Sequence, residues 1–152
     1  MTRPLIGIVV LSLVAATLWA ADTEKRPQRE QAFVAKLTGA TMTGAFSLDG
    51  KQDKNQKEDK YQIVSAKKTE GDNWVITAKM KIGENELDVP IAIKVFWADD
   101  TPVMSLTDLT IPGLGTFTAR VMFYGDRYAG TWQHGEAGGH MWGLIGKMSE
   151  KK

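Results

Sequence analysis

At 152 residues the chain has the length of one domain, and with 43% hydrophobic residues it carries enough apolar material for one core. One of its 19 basic residues, Arg3, falls in the first twenty positions and no acidic residue does, so 18 basic residues face 18 acidic ones beyond them. That even, scattered balance speaks against nucleic acid as a partner, and the lack of cysteine excludes disulfides, thiolate catalysis and a lipid-modified N-terminal cysteine.

The N-terminus has three parts: a short basic start, the apolar run "LIGIVVLSLVAATL" from Leu5 to Leu18, and the small residues Ala20 and Ala21 before "DTEKRPQRE". This is the pattern of a secretory signal peptide over residues 1–20, cleaved after Ala20. At about fourteen residues the run is shorter than the roughly 20 that span a bilayer, so no membrane span is expected after cleavage; an uncleaved anchor is the alternative. The expected location is periplasmic or secreted.

Residues 21–40 read as a polar lead-in and a short helix from about Pro27 to Thr38. Proline suits the first turn, Gly39 the stop, and Phe33, Val34 and Leu37 supply one apolar stripe. From residue 41 to the end the period changes to two. In "TMTGAFSLDG", Met42, Gly44, Phe46 and Leu48 alternate with polar neighbours. The hydrophilic stretch "DGKQDKNQKEDK" reads as a long first loop, followed by the strand "KYQIVSAKK" and the turn "TEGDN". In "NWVITAKMKI" the inward series is Trp74, Ile76, Ala78, Met80 and Ile82. In "ELDVPIAIKVFW" it is Leu87, Val89, Ile91, Ile93, Val95 and Trp97, which puts Pro90 on the outer face and suggests an edge, a bulge or an unpaired N–H. "PVMSLTDL", "TFTARVMFY", "RYAGTWQ" and "HMWGLIGKM" complete eight strands, the last two joined by "HGEAGG". Short alternating strands with turn residues between nearly every pair predict an all-β protein: an eight-stranded antiparallel up-and-down barrel preceded by a short helix.

This outline resembles the calycin group, the small barrels that include lipocalins, fatty-acid-binding proteins and avidins. The resemblance lies in the helix before the first strand, the eight meandering strands and the long first loop, over residues 27 to about 148. Where lipocalins carry a Gly-x-Trp this chain reads "LTGATMTGAF", so the likeness is one of architecture and brings no site residues with it.

Candidate chemistry gathers near the C-terminus. His134, Glu136 and His140 lie within "GTWQHGEAGGHMWG" and would make a two-histidine, one-carboxylate metal set if a hairpin brought them together; the competing reading is a solvent-exposed turn. The glycines of the segment fit bulges, bends or a ring lying on the backbone, and Trp132 and Trp142 are candidates either for core packing or for lining a ligand cavity. In "TFTARVMFY" the apolar face is Phe117, Ala119, Val121 and Phe123. If that face pointed outward, Arg120 and Tyr124 would reach a cavity and could hold a carboxylate; the simpler assignment puts the phenylalanines inside and Arg120 in water. Asp108 falls in phase with Met104 and Leu106, either at an exposed strand end or paired with Arg120.

The usual enzyme signatures are absent, no cofactor is implied, and the function expected is non-catalytic binding of a small apolar or amphipathic ligand. Two alternatives stay open: an interaction protein of the cell envelope that binds a protein or glycan, and a metal-dependent enzyme built on His134, Glu136 and His140. Oligomeric state is not readable.

Overall fold

The computed structural model describes residues 26–51, 56–82 and 84–147. The expected signal peptide, the first residues of the lead-in and the middle of the first loop lie outside the described residues. Residues 26–37 are helical, and Gly39 follows with φ of 68°, the left-handed conformation that ends a helix without steric cost. Lys147 Nζ donates to the carbonyl of Ala35 at 2.9 Å, satisfying one of the acceptors a helix leaves open at its C-terminus. Lys36 donates to the Gly125 carbonyl and pairs with Asp126 at 3.1 Å, tying the same turn to a loop of the barrel.

Beyond Gly39 the strands are β1 (Ala40–Phe46), β2 (Lys57–Lys68), β3 (Asn73–Ile82), β4 (Asn85–Ala98), β5 (Thr101–Ile111), β6 (Gly115–Tyr124), β7 (Arg127–His134) and β8 (Ala137–Lys147). Each pairs antiparallel with the next, and β8 closes on β1, from Ala40 opposite Lys147 to Phe46 opposite Met141. Closure satisfies the backbone groups that open sheet edges leave exposed.

The expected inward phases hold in β1, β3, β4 and β6, because alternation along a strand sends every second side chain to one face. Trp74, Ile76, Val95, Val121 and Phe123 are buried, and Arg120 is outside. At the helix end of the barrel, Phe33 sits edge-on to Trp74, Trp97 and Phe123 at centroid distances of 5.6, 5.9 and 5.3 Å, with Leu37 buried one turn later. This aromatic cluster is the floor of the barrel.

Two local departures from strict alternation matter. In β5, Leu106 faces Ala119 and Leu109 faces Phe117, so Thr107 and Asp108 together oppose Thr118. That is a bulge, and Asp108 takes it up with φ of 49°. The extra residue returns Leu109 and Ile111 to the inward face and turns Asp108 outward, where it shares hydrogen bonds with the Thr118 hydroxyl. Arg120 bonds instead to the Leu106 and Ala119 carbonyls and the Thr107 hydroxyl, so no Asp108–Arg120 pair forms in the interior. The second departure is the seam between β4 and β5, paired only from Lys94 opposite Ser105 to Ala98 opposite Thr101. Among the described residues, Asn85–Ile93 pairs on one side alone, with β3, and Pro90 lies in that stretch, as its missing N–H suggests.

Candidate functional site

Above the aromatic floor the barrel is not filled. A cavity of about 300 Å³ lies between the strands, walled by aliphatic side chains such as Met42, Ile63, Ile76, Ile91, Leu106 and Met141. The size falls at the lower end of small-molecule pockets. Leu37 of the helix lies at its helix end; Phe46, Phe117 and Trp132 line it toward the loop end. Trp132 stands opposite Gly139 across the last hairpin and edge-on to Phe46 at 5.4 Å. Its indole N–H is buried with no hydrogen-bond partner.

Among the described lining residues, Asp59, Tyr61 and Thr118 interrupt this apolar wall with polar side chains. Alternation carried back along β2 from Ile63 through Tyr61 reaches Asp59, and both Asp59 and Tyr61 line the cavity. The Tyr61 hydroxyl donates to Asp59 Oδ2, while Asp59 Oδ1 accepts the Lys60 backbone N–H at 2.9 Å. A second phenol approaches across two glycines. Asp59 pairs with Gly44, Gly44 with Gly143, and Gly143 with Tyr128, so these four positions form one inward row. A Cβ on Gly44 would lie 2.7 Å from the Tyr128 hydroxyl and one on Gly143 2.8 Å from Tyr128 Cε1; the ring therefore lies over a wall stripped of side chains. Tyr128 is 2% exposed and its hydroxyl has no partner. Burial first, and then the negative charge of Asp59, push the Tyr128 phenol up to about 12; burial, the bond to Asp59 and its charge hold Tyr61 higher still.

Sequence reasoning missed Asp59, Tyr61 and Tyr128. Asp59 was hidden in the charge run "DGKQDKNQKEDK", although the alternation from Ile63 passes directly to it. Of the residues that sequence reasoning singled out for ligand contact, the structure places Trp132 on the cavity and the other three on the outside. Arg120 and Tyr124 lie on the outer face of β6, Tyr124 being 66% exposed, because Phe117, Ala119, Val121 and Phe123 take the inner one. Trp142 is exposed on the outer face of β8, in phase with Leu144.

His134, Glu136 and His140 are not brought together. The strands run through His134 and resume at Ala137, so the hairpin turn is only Gly135 and Glu136. His134 lies in the phase of Trp132 and stacks on Phe117 at 4.4 Å, whereas His140, opposite Thr131, lies in the outward phase. Among the described residues no three His, Cys, Asp or Glu side chains could hold a metal ion.

The outer face carries its own pattern. Phe96, Val103, Met122, Ala129, Trp142 and Ala45 are successive cross-strand neighbours from β4 to β1, an apolar row around much of the barrel. No helix among the described residues is long and apolar enough to cross a membrane.

Fold and site together define a small closed antiparallel barrel with an apolar chamber and a carboxylate–phenol cluster in its wall. No protein-family model, curated protein or solved structure matches the chain.

Proposed function

We propose that this is an exported, non-catalytic barrel that holds a small apolar or amphipathic molecule in its interior. The carrying observation is the cavity of about 300 Å³, walled almost wholly by aliphatic and aromatic side chains, in a protein with aromatic residues enough to fill it. A chamber of that size gains no packing from its own side chains, and an apolar ligand would recover the lost dispersion and exclude water. The unpaired half of the β4–β5 seam, flanked by the cavity-lining Ile91, Leu106 and Leu109, offers a way in that separates no paired strands.

Native mass spectrometry of protein purified from its own export pathway tests the reading, with solvent extraction of any bound species. A bound molecule of a few hundred daltons, or saturable binding of a neutral naphthylamine dye with enhanced emission, is expected. Absence of both would refute it. Export is checked by N-terminal sequencing, which should begin at Ala21; periplasmic or secreted location follows from that cleavage.

A second reading, an interaction protein of the envelope, draws on the outer row through Met122 and Trp142. Exposed apolar patches of that kind are a common mark of partner surfaces. A Trp142→Ser variant would then lose retention on envelope protein or glycan fractions while still binding the dye; unchanged retention would remove this reading.

A further inference from the structure

We propose that the cavity is built for a ligand whose polar end is a hydrogen-bond donor, an amine or hydroxyl on an apolar body, received by Asp59 beside Tyr61, and that it discriminates against carboxylate amphiphiles. The inference rests on the cavity-binding function proposed above and specifies the chemistry of its ligand.

The wall itself supplies the first argument. Among the described residues that line the cavity, Asp59 is the one charged side chain, and none is a lysine, arginine or histidine. Lys57, two residues earlier in the same phase, is exposed at the start of β2 and does not line the chamber. A fatty carboxylate would therefore enter without a counter-charge and meet a like charge in a low-dielectric wall, where repulsion is weakly screened. An ammonium or hydroxyl meets an acceptor there.

The cluster also has unfilled capacity of the right kind. Each Asp59 oxygen accepts one protein hydrogen bond, from Tyr61 and from the Lys60 N–H, and a carboxylate has room for about four. The Tyr128 hydroxyl is buried without a partner beside it, and leaving such a group unpaired costs about 1–3 kcal/mol. A donor that reaches Asp59 from the chamber would take up the carboxylate's spare capacity. The two glycines that let the Tyr128 ring lie against the wall place its hydroxyl over Gly44, directly opposite Asp59 in the ladder. A residue with a side chain at either position would block that approach. The phenols also reinforce the choice: burial and the Asp59 charge hold both protonated well above neutral pH, so neither adds a second negative charge to the site.

The test is competition by dodecylamine, dodecanol and dodecanoate for a neutral naphthylamine dye, at neutral pH and below their micellar concentrations, with calorimetry of the direct binding. The amine is expected to bind at least about tenfold more tightly than the carboxylate, with the alcohol between them, as a charge-assisted bond set against like-charge repulsion implies. Asp59→Asn, with its own dye affinity measured and the competition read relative to it, should bring the amine and the carboxylate to within about threefold of each other. Should that variant fail to fold, the native protein's ranking and a Tyr61→Phe variant decide, because freeing one Asp59 oxygen should keep or widen the preference. Equal binding of all three, or tighter binding of the carboxylate, overturns the head-group assignment and leaves cavity binding standing. No binding of the dye or of any of the three chains overturns the function itself.

Discussion

Replacing Phe33 by alanine separates a structural floor from a loosely attached helix. The ring is 3% exposed and meets Trp74, Trp97 and Phe123 edge-on, within 6 Å in each case. Truncating a buried phenylalanine costs about 3–5 kcal/mol, and three aromatic contacts, each worth about 0.5–1.5 kcal/mol beyond area, place this site toward the upper end of that range. Helix propensity works the other way: alanine is the better helix former, so a helix that contributed nothing but its own backbone would be stabilised by a few tenths of a kcal/mol. The sign of the change is therefore diagnostic. Guanidinium unfolding followed by tryptophan fluorescence should show a lower midpoint with an unchanged slope, and the melting temperature should fall by roughly 12–20 °C at about 4 °C per kcal/mol for a domain of this size. Val34→Ala, one position along and only partly buried, should cost well under half as much. A Phe33→Ala loss below about 1 kcal/mol would refute the claim that the helix end is part of the core.

Three further outcomes follow from the interior. Tyr128 is raised from 10.0 to about 12 and Tyr61 further, so the folded protein keeps protons that the unfolded chain releases; stability should be complete below pH 10 and decline as pH rises from there through the folded value, a decline that Tyr61→Phe/Tyr128→Phe protein should lack when unfolding midpoints are compared across alkaline pH. Gly44→Ala and Gly143→Ala would set a Cβ 1.9 Å from the Trp142 carbonyl oxygen and 2.3 Å from that of Thr43, so each should cost more than about 3 kcal/mol in denaturant unfolding, whereas Gly146→Ala, with nothing within 4 Å, should stay within about 0.5 kcal/mol of the native protein. Ala119→Phe puts a ring into the cavity between Leu106 and Trp132 and should lower affinity for an apolar dye by at least about tenfold while the far-ultraviolet circular dichroism stays that of the barrel.

The barrel was legible because its code is local. Alternation at Trp74, Ile76 and Ala78, or at Phe117, Ala119 and Val121, assigns faces without reference to any other strand, and the turn residues between runs supply the order. What depends on two strands at once was not legible. Asp108 stood in the apolar phase of Met104 and Leu106, and only its pairing with β6 shows the bulge that turns it out. Gly143 was open to being read as a seat for a ring, yet the ring is Tyr128, not a tryptophan, because register puts Tyr128 opposite Gly143 and sends Trp142 outside. His134 and His140 are close in sequence, and the two-residue turn between their strands is what places them in opposite phases.

The same distinction accounts for the cavity. Inward residues along a barrel strand can be counted from sequence, but whether they fill the interior depends on where the large ones fall along the axis. Here Trp74 opens β3 while Trp97 and Phe123 close β4 and β6, and in an antiparallel meander those positions share one end. Phe33 from the helix joins them there, so much of the aromatic volume is spent on the floor. Between that floor and the rings of Phe46, Phe117 and Trp132 toward the loop end, many of the inward positions carry alanine, isoleucine, leucine and methionine, which extend less far toward the axis, and the space between them is the chamber. Asp59 lies on the wall of that chamber, beyond the floor, where Tyr61 and the Lys60 N–H take one hydrogen bond on each of its oxygens and leave acceptor capacity that a ligand's donor would fill.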